Sequence, residues 1–530
     1  MDRVKEGSET MVVDVQHDSA SSREFDFVVV GSGAGGLTGA LMAAQAGLRT
    51  LVLEKGEFLG GMTAYAGGCM WLPGNRVTAA ANPADSAEGG FTYLHGLAGD
   101  TSPVEMQRAY VDTAAELVEF LMGHPDLQFE YQRFPDYFEA EGRVRGGRGI
   151  FAAPLPLNRA TEVAETIRPP VPQDRFGLEL DRTELVGGQA LIARLLLALR
   201  RHSNVLIQTS SRLTALILDH GRVLGVAALC DGRREEYRAM RGVLLSAGGF
   251  EANQELRSRW QGNREVRWTG APLTHTGDAI VAGLNAGAAV ARMHEAWWSP
   301  MLARPGNTSS FLVGFQGGIF VNGTGRRFGN ESLPYGRMGQ LILDLEARGE
   351  PALPIWWVFD DRFDTVPCAV VDPIDVTEFR EAGLWHTDST VEGLARRIGL
   401  PPSALAETVD RFNLFAQGGV DEDFARGSDE YDQFFALPEA GRNPCLIPIE
   451  KAPFHAVQIG LGDIGTKGGL VTNTDGQVLD TDHQPIEGLY ASGNTTASAT
   501  GHVYAGPGAP IATSMVFAYR AARHAAEALA

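Results

Sequence analysis

The strongest chemical signal in the sequence is a loop of closely spaced glycines, Gly31-Ser32-Gly33-Ala34-Gly35-Gly36. It follows an apolar run at 27–30 that predicts a buried parallel strand, and it precedes an Ala- and Leu-rich helical pattern. A second run that is rich in β-forming residues, 49–53, ends at the acid Glu54. In this strand–loop–helix–strand context, backbone N–H groups at the helix start can bind a pyrophosphate, and the acid can bind a ribose. The loop therefore predicts a dinucleotide site, and the alternative is a glycine-rich turn with an incidental Glu54.

Composition indicates a large globular enzyme. The chain has 530 residues, which is more than one hydrophobic core usually holds, so two or more domains are expected. Hydrophobic residues make up 44% and charged residues 21%, as in ordinary soluble enzymes. The net charge of −20 argues against nucleic acid or anionic lipid as a partner over most of the surface.

Cysteine usage and the apolar pattern predict a cytoplasmic protein. The four cysteines lie far apart without a CxxC pair, which favours reduced thiols over disulfides or a zinc site. His275, His294 and His455 show no metal-ligand spacing, so no metal is expected. No apolar run approaches the roughly 20 residues of a membrane span. Residues 1–23 lack the features of a signal peptide and predict a polar, disordered leader.

Later parts of the chain are predicted to add further strands beside the first one. Three β-like runs at 205–229 lead to a second apolar strand at 242–246 with a glycine-rich exit. The bulky segment from 296 to 465 differs in character and is interpreted as a second domain. A final strand near 487–492 then runs into another glycine loop. The glycine loops should therefore meet around one ligand.

Five stretches, in this order along the chain, resemble the fumarate reductase/3-ketosteroid dehydrogenase class of FAD enzymes. They are 31–36 with Glu54-Lys55, 60–68, 246–251, 276–280 and 491–494. By itself the first loop does not distinguish NAD from FAD, but the resemblance implies non-covalent FAD. It implies an α/β fold with a discontinuous, Rossmann-like FAD-binding domain (24–295 and 466–530) and an inserted α+β substrate/catalytic domain (296–465).

The resemblance also implies which residues contact the cofactor. They are Gly31, Ser32, Gly33, Ala34, Gly35, Gly36, Glu54, Lys55, Gly61, Thr63, Ala64, Gly67, Gly68, Ala247, Gly248, Asp278, Gly493, Asn494 and Ile511. For Asp278 a second interpretation is open, because the helical pattern starts there and an aspartate can cap a helix.

Three further pieces resemble the 3-ketosteroid Δ1-dehydrogenases within this class: 501–508, 327–335, and 134–137 followed by 146–148. The resemblance implies that Tyr504 and the N–H of Gly508 hold the C3 carbonyl of a steroid. It implies that Tyr335 removes the C2 proton with help from Tyr137, and that the C1 hydrogen leaves as hydride to flavin N5. Tyr131 is the alternative helper.

The implied activity is FAD-dependent 1,2-dehydrogenation of 3-ketosteroids to 1-ene-3-ketosteroids in steroid degradation, with a quinone or similar external electron acceptor. The alternatives are Δ4(5α)-dehydrogenation, a fumarate-type reductase, and a flavin-binding protein without turnover. A dicarboxylate would need converging arginines and histidines. The tyrosines and glycine at the implied site suit a neutral ketone in an apolar pocket.

Overall fold

Helices and strands alternate along most of the chain in this computed structural model, which describes residues 13–14, 23–350, 352–437 and 441–528. The predicted leader lies outside the described residues, apart from a two-residue strand at 13–14 and Arg23, which begins a strand. The helices are α1 (Ala34–Gln45), α2 (Gly61–Tyr65), α3 (Arg76–Ala81), α4 (Ala87–Ala98), α5 (Val104–Met122), α6 (Val171–Phe176), α7 (Gly187–Arg200), α8 (Gln254–Trp260), α9 (Asp278–Asn285), α10 (Tyr335–Ala347), α11 (Val376–Glu381), α12 (Val391–Arg397), α13 (Pro402–Gly418), α14 (Glu430–Phe434) and α15 (Ala509–Glu527).

The strands form two large sheets and several small ones. They are β1 (Val13–Asp14), β2 (Arg23–Val30), β3 (Thr50–Leu53), β4 (Met70–Trp71), β5 (Phe129–Tyr131), β6 (Gly149–Ala152), β7 (Leu155–Pro156), β8 (Glu184–Leu185), β9 (Val205–Gln208), β10 (Ser211–Asp219), β11 (Arg222–Cys230), β12 (Arg233–Leu245), β13 (Val290–Ala291), β14 (Ala296–Arg304), β15 (Thr308–Phe311), β16 (Val313–Phe315), β17 (Ile319–Val321), β18 (Ile355–Asp360), β19 (Cys368–Val370), β20 (Trp385–Asp388), β21 (Phe454–Thr466), β22 (Gly469–Leu470), β23 (Gln477–Leu479) and β24 (Pro485–Ala491).

The first large sheet contains the predicted parallel strands. Strands β9, β3, β2, β12 and β24 lie side by side, and each neighbouring pair is parallel. The end of β2 is fully buried because both faces of the sheet are covered. Phe27 and Val29 pack with α1, α7 and α15, whereas Val28 and Val30 pack with β10, β11 and α9. The predicted α/β class is confirmed.

Strand β12 connects the early and late parts of this sheet. Its first half pairs antiparallel with β11, and its last three residues pair with β24. The chain therefore re-enters the first sheet after it has completed the second. The exact domain boundaries stay a prediction.

The second large sheet is antiparallel and is built around the thirteen-residue strand β21. Strands β14, β18 and β20 pair with β21, and β15 and β17 extend the sheet at its two sides. Successive side chains of a strand point to opposite faces. Trp298 of β14 therefore packs into the core of this sheet, while Trp297 packs with the core that surrounds α1 and α15.

Several predictions on composition can be compared with this fold. Each of the four cysteines is free, as expected for reduced thiols. Within the described ranges no helix is long and apolar enough to cross a membrane. The same ranges contain no group of His, Cys, Asp and Glu side chains that could hold a metal ion. The cytoplasmic location stays a prediction.

Candidate active site

A cavity of about 760 Å³ joins the glycine loops of the first sheet to the second sheet. Its walls come from the loop after β2, the segment at 61–69, the exit of β12, and the segments at 492–494 and 504–511. The carboxyl ends of the parallel strands bring these loops to one edge of the sheet, where open α/β sheets bind their ligands.

Most of the predicted cofactor contacts line this cavity. They are Gly31, Ser32, Gly33, Ala34, Glu54, Lys55, Gly61, Thr63, Ala64, Gly67, Gly68, Ala247, Gly248, Asp278, Gly493, Asn494 and Ile511. Gly35 and Gly36 lie behind it. A Cβ on Gly35 would lie 2.1 Å from Ser514 Oγ, and one on Gly36 would lie 2.0 Å from the Gly31 oxygen. These two glycines allow α1 to pack closely against its surroundings.

The groups at this end of the cavity fit a dinucleotide. The first turn of α1 contains no acidic residue, so its N–H groups can face a pyrophosphate. The buried Glu54 carboxylate accepts hydrogen bonds from the Ser32 hydroxyl at 2.6 Å and the Gly56 N–H at 2.8 Å, and it still has lone pairs for a ribose. A Cβ on Gly67 would meet no protein atom within 4 Å, so a flat ligand has room there.

The position of Asp278 in the structure contradicts one of its two interpretations. The N-cap of α9 is Gly277, without a side-chain cap hydrogen bond, and Asp278 is the first helical residue. Its carboxylate forms an ion pair with Lys55 Nζ at 3.0 Å and accepts from the Thr276 hydroxyl at 2.9 Å. The N-cap interpretation is therefore wrong, because the left-handed backbone of Gly277 begins the helix one residue earlier.

Three of the predicted tyrosines meet at the other end of the cavity. Tyr335 begins α10, Tyr504 lies in the segment before α15, and Tyr137 lies in the loop between β5 and β6. The Tyr335 hydroxyl donates to the Tyr504 hydroxyl at 2.7 Å. The Tyr137 ring lies edge-on to both, with ring centroids 5.8 and 5.1 Å away. All three side chains are buried and line the cavity.

The Tyr137 loop is tied directly to the Tyr504 segment. The N–H of Tyr137 donates to the Ala505 carbonyl at 3.2 Å, and the Tyr93 hydroxyl donates to the same carbonyl at 2.8 Å. Behind the loop, the fully buried Arg148 pairs with Asp136 at 2.6 Å. Tyr131, the alternative helper, donates to the Gly146 carbonyl and does not line the cavity.

Burial dominates the acid–base properties of the cluster. It raises the pKa of Tyr335 well above its usual value, and the neighbouring Tyr504 adds to the rise while Tyr137 lowers it. Burial raises the pKa of Tyr504 to about 12, although the hydrogen bond from Tyr335 and the nearby Gly508 N–H lower it. The Tyr137 hydroxyl has no hydrogen-bond partner among the described residues. It is therefore free to donate to a neighbour.

Gly508 is required for a reason that the sequence did not indicate. Its φ is +82°, and a Cβ there would lie 2.0 Å from the Cys69 carbonyl oxygen. The glycine thus allows the start of α15 to lie against the backbone of the 68–70 segment. Gly508 and Tyr504 both line the cavity, and the Gly508 N–H lowers the pKa of the Tyr504 hydroxyl.

Aromatic and aliphatic side chains form the wall around the tyrosines. Phe311 packs edge-on against Tyr335 at 4.9 Å, and Trp297 packs edge-on against Tyr504 at 4.9 Å. Other apolar residues that line the cavity include Phe134, Val313, Val370, Phe434, Phe435 and Ile464. Sequence reasoning missed most of these residues. Of the four tryptophans at 297, 298, 356 and 357, Trp297 lines the cavity and the other three do not.

The cationic side chains among the lining residues already have acidic partners. Lys55 pairs with Asp278. The His275 ring contacts the fully buried Glu251 carboxylate at 2.6 Å. Both pairs lie at the dinucleotide end of the cavity, so the tyrosine end offers hydroxyl and N–H donors within an apolar wall.

Comparisons with known proteins agree with this arrangement. The family model of the FAD binding domain matches residues 26–511. The 3-oxosteroid 1-dehydrogenase of Mycolicibacterium smegmatis is 35% identical over 558 residues, covering 95% of this chain and 97% of that protein. The 4-oxocyclohexanecarboxylate 2-dehydrogenase of Sinomonas cyclohexanicum is 34% identical, covering 94% and 92%.

A solved structure shows the same fold. The crystal structure of 3-ketosteroid Δ1-dehydrogenase from Sterolibacterium denitrificans, in complex with 1,4-androstadiene-3,17-dione, matches with a TM-score of 0.88. It is 32% identical, and the match covers 96% of this chain and 100% of that chain. The predicted FAD-binding fold and the predicted FAD cofactor are confirmed.

Proposed function

The chain belongs to the 3-oxosteroid 1-dehydrogenases of the FAD binding domain family, and we propose that Tyr335, Tyr504, Gly508 and Tyr137 carry its reaction. The protein is an FAD-dependent oxidoreductase that introduces a 1,2 double bond into 3-ketosteroids. The observation that carries the assignment of residues is the 2.7 Å contact between the Tyr335 and Tyr504 hydroxyls inside an apolar cavity. The same cavity continues to the dinucleotide groove.

FAD would lie along the glycine-lined part of the cavity, held by the start of α1, Glu54 and the loops at 61–68 and 493–494. When bound, FAD supplies the acceptor for the hydride that leaves C1 of the steroid. The protein orients the substrate and excludes water from the apolar wall. The Tyr335–Tyr504 pair then acts on the other hydrogen, the proton at C2.

Removal of the C2 proton requires that the C3 carbonyl be polarised. The Tyr504 hydroxyl and the Gly508 N–H are the two donors that would face the carbonyl oxygen. Such donors stabilise the negative charge that develops on the oxygen as the proton leaves, because they are fixed in place before the reaction. Their setting among buried apolar rings strengthens the interaction, since little water competes for the oxygen.

Tyr335 would accept the C2 proton. Its pKa lies well above the usual value because of burial, so the phenolate form must be stabilised within the site. The Tyr137 hydroxyl, buried and without a hydrogen-bond partner in the described part of the chain, can supply a hydrogen bond to the Tyr335 oxygen. Its ring is already in edge-on contact with the Tyr335 ring, and its effect lowers the pKa of Tyr335.

The relative from Sinomonas cyclohexanicum raises a second candidate substrate, a small cyclic ketone that carries a carboxylate. A buried carboxylate needs a cation or several donors. The lining cations, Lys55 and His275, are paired with Asp278 and Glu251 at the far end of the cavity. The apolar wall around Phe311 and Trp297 therefore favours a neutral, extended ketone.

The first test is an anaerobic mixture of the flavin-loaded protein with androst-4-ene-3,17-dione. We expect the flavin absorption band to bleach and the product to be the 1,4-diene-3-one. The same assay with 4-oxocyclohexanecarboxylate, the matched control for the size and charge of the substrate, is expected to leave the band unchanged. Absence of bleaching with any 3-ketosteroid would contradict the proposal.

A saturated steroid distinguishes the Δ4(5α) alternative. With 5α-androstane-3,17-dione, hydrogens can leave from C1 and C2 or from C4 and C5. We expect the 1-ene product, because the proposed base acts at C2. A 4-ene product would favour the alternative activity.

We also propose that FAD is bound without a covalent link. His275, a cavity-lining side chain of a type that can bond to flavin, directs Nδ1 at Glu251, and burial raises the pKa of the Cys69 thiol well above its usual value. Precipitation with trichloroacetic acid is expected to leave the yellow colour in the supernatant. A yellow pellet would show a covalent link.

An external electron acceptor must restore the oxidised cofactor, since each steroid delivers two electrons. We propose a quinone or similar small oxidant. Val186 and Val370 line the cavity and are exposed, so the cavity reaches the protein surface at these two residues.

A further inference from the structure

Lys467 is a buried lysine that contacts the backbone just before Tyr504. It follows the last residue of β21, and its side chain is among the buried residues. Its Nζ donates to the carbonyl oxygen of His502 at 2.6 Å and to that of Val503 at 3.1 Å. The ammonium group therefore holds two consecutive carbonyls of the segment that presents Tyr504.

The same ammonium group also contacts Trp297, the aromatic residue that packs against Tyr504. Lys467 Nζ lies 4.3 Å from the centroid of the Trp297 ring. Trp297 packs edge-on against Tyr504, and its Nε1 donates to Asn494 Oδ1 at 3.0 Å. Lys467 thus connects the segment that carries Tyr504 to the Trp297 ring that packs against Tyr504.

All three contacts of Lys467 suit an ammonium group with three protons. Two carbonyl oxygens and the face of an indole are electron-rich, and a neutral amine would direct its lone pair at one of them. No carboxylate among the described residues accepts a hydrogen bond from this Nζ. Glu295 favours the charge from a greater distance, and Arg292 opposes it.

Burial makes this arrangement costly. It lowers the pKa of Lys467 to about 7. A methionine would fill a similar volume without the cost of burying a charge. The segment before Tyr504 also contains an internal hydrogen bond, in which the Thr500 hydroxyl donates to the Val503 carbonyl at 2.9 Å. The lysine is therefore not the sole support of the segment, and its charge requires another explanation.

We propose that Lys467 is a positioning residue that fixes the Tyr504 segment and Trp297 relative to each other, so that the Tyr504 hydroxyl faces the substrate carbonyl beside Tyr335. The inference rests on the proposed function. Lys467 acts through the His502 and Val503 carbonyls, and it does not itself touch the steroid. Small displacements of a carbonyl-binding donor are costly, because the donor must match the position of the developing oxyanion.

The test compares K467M and K467Q with the wild-type holoenzyme. Methionine removes every donor, whereas glutamine keeps two N–H donors for the carbonyls but loses the charge over Trp297. For K467M we expect both the affinity for 1,4-androstadiene-3,17-dione and the rate of anaerobic flavin reduction to fall. The product of the two losses should be about tenfold to a hundredfold. For K467Q we expect a smaller loss of both, and for both variants an unchanged FAD content.

The exposed Lys451 provides a matched control, because K451M removes a lysine charge that takes no part in these contacts. It is expected to behave as the wild type. Wild-type affinity and reduction rate in both Lys467 variants would overturn the proposal. If K467M does not fold, K467Q decides alone: weaker steroid binding with full FAD content supports positioning, and wild-type values overturn it. Failure of the wild type itself to reduce its flavin would instead contradict the proposed function.

Discussion

Replacement of Tyr335 by phenylalanine is expected to slow anaerobic flavin reduction by about 10²- to 10⁴-fold, the usual contribution of a general base. Only the hydroxyl is lost, so the ring keeps its edge-on contacts with Phe311 and Tyr137. The steroid should therefore still bind. Stopped-flow measurement of the flavin band gives the reduction rate, and a titration with 1,4-androstadiene-3,17-dione gives the affinity.

The pH dependence of the same variant provides a second readout. Since burial raises the pKa of Tyr335 above its usual value, the wild-type reduction rate should keep rising with pH through the neutral range into the alkaline range. Y335F should lose this rise. Tyr131→Phe is the matched control, because its hydroxyl bonds to the Gly146 carbonyl outside the cavity. Wild-type turnover by Y335F would mean that another residue removes the C2 proton.

The cofactor end of the site could be predicted because its signals are local in sequence. Strand, glycine loop, helix and acid follow one another between 25 and 54, and the backbone rules for this unit depend on near neighbours. Two details depended on distant contacts. Gly35 packs against Ser514, and Asp278 pairs with Lys55, so neither could be assigned from its own surroundings.

The tyrosine end depends on contacts between remote segments. Tyr335 and Tyr504 are separated by 169 positions, and their contact exists only because α10 and α15 begin at the same cavity. Periodicity indicates which face of an element is buried, but not which elements meet. The resemblance supplied candidate roles for these tyrosines. The geometry adds the ties that hold them, such as the bonds to the Ala505 carbonyl.

The burial of Lys467 could not be predicted from the sequence either, because it also depends on contacts between remote segments. In the sequence it lies in a glycine-rich turn, where a lysine is ordinarily exposed. Its burial follows from the approach of the 502–503 backbone and of Trp297, which come from two other parts of the chain. A search for unpaired buried charges in a structure finds such a residue directly, whereas no pattern of spacing does.

Replacement of Tyr504 by phenylalanine is expected to weaken steroid binding and also to slow flavin reduction. One fixed donor to a developing oxyanion is typically worth about 3 to 4 kcal/mol, so kcat/KM should fall by about 10²- to 10³-fold. Part of this loss should fall on binding, because the carbonyl accepts from Tyr504 in the ground state as well as in the transition state. Steady-state kinetics with androst-4-ene-3,17-dione and a product titration separate the two parts.

The double variant Y335F/Y504F makes the assignment sharper. The two hydroxyls contact each other at 2.7 Å, so their effects should not be independent. If both act on the same step, the double variant should lose less than the product of the two single losses. Tyr519→Phe is the control, since its hydroxyl bonds to Glu116 outside the cavity. Losses that simply multiply would mean that the Tyr335 and Tyr504 hydroxyls contribute independently of each other. A wild-type steroid affinity in Y504F would remove Tyr504 from the carbonyl site.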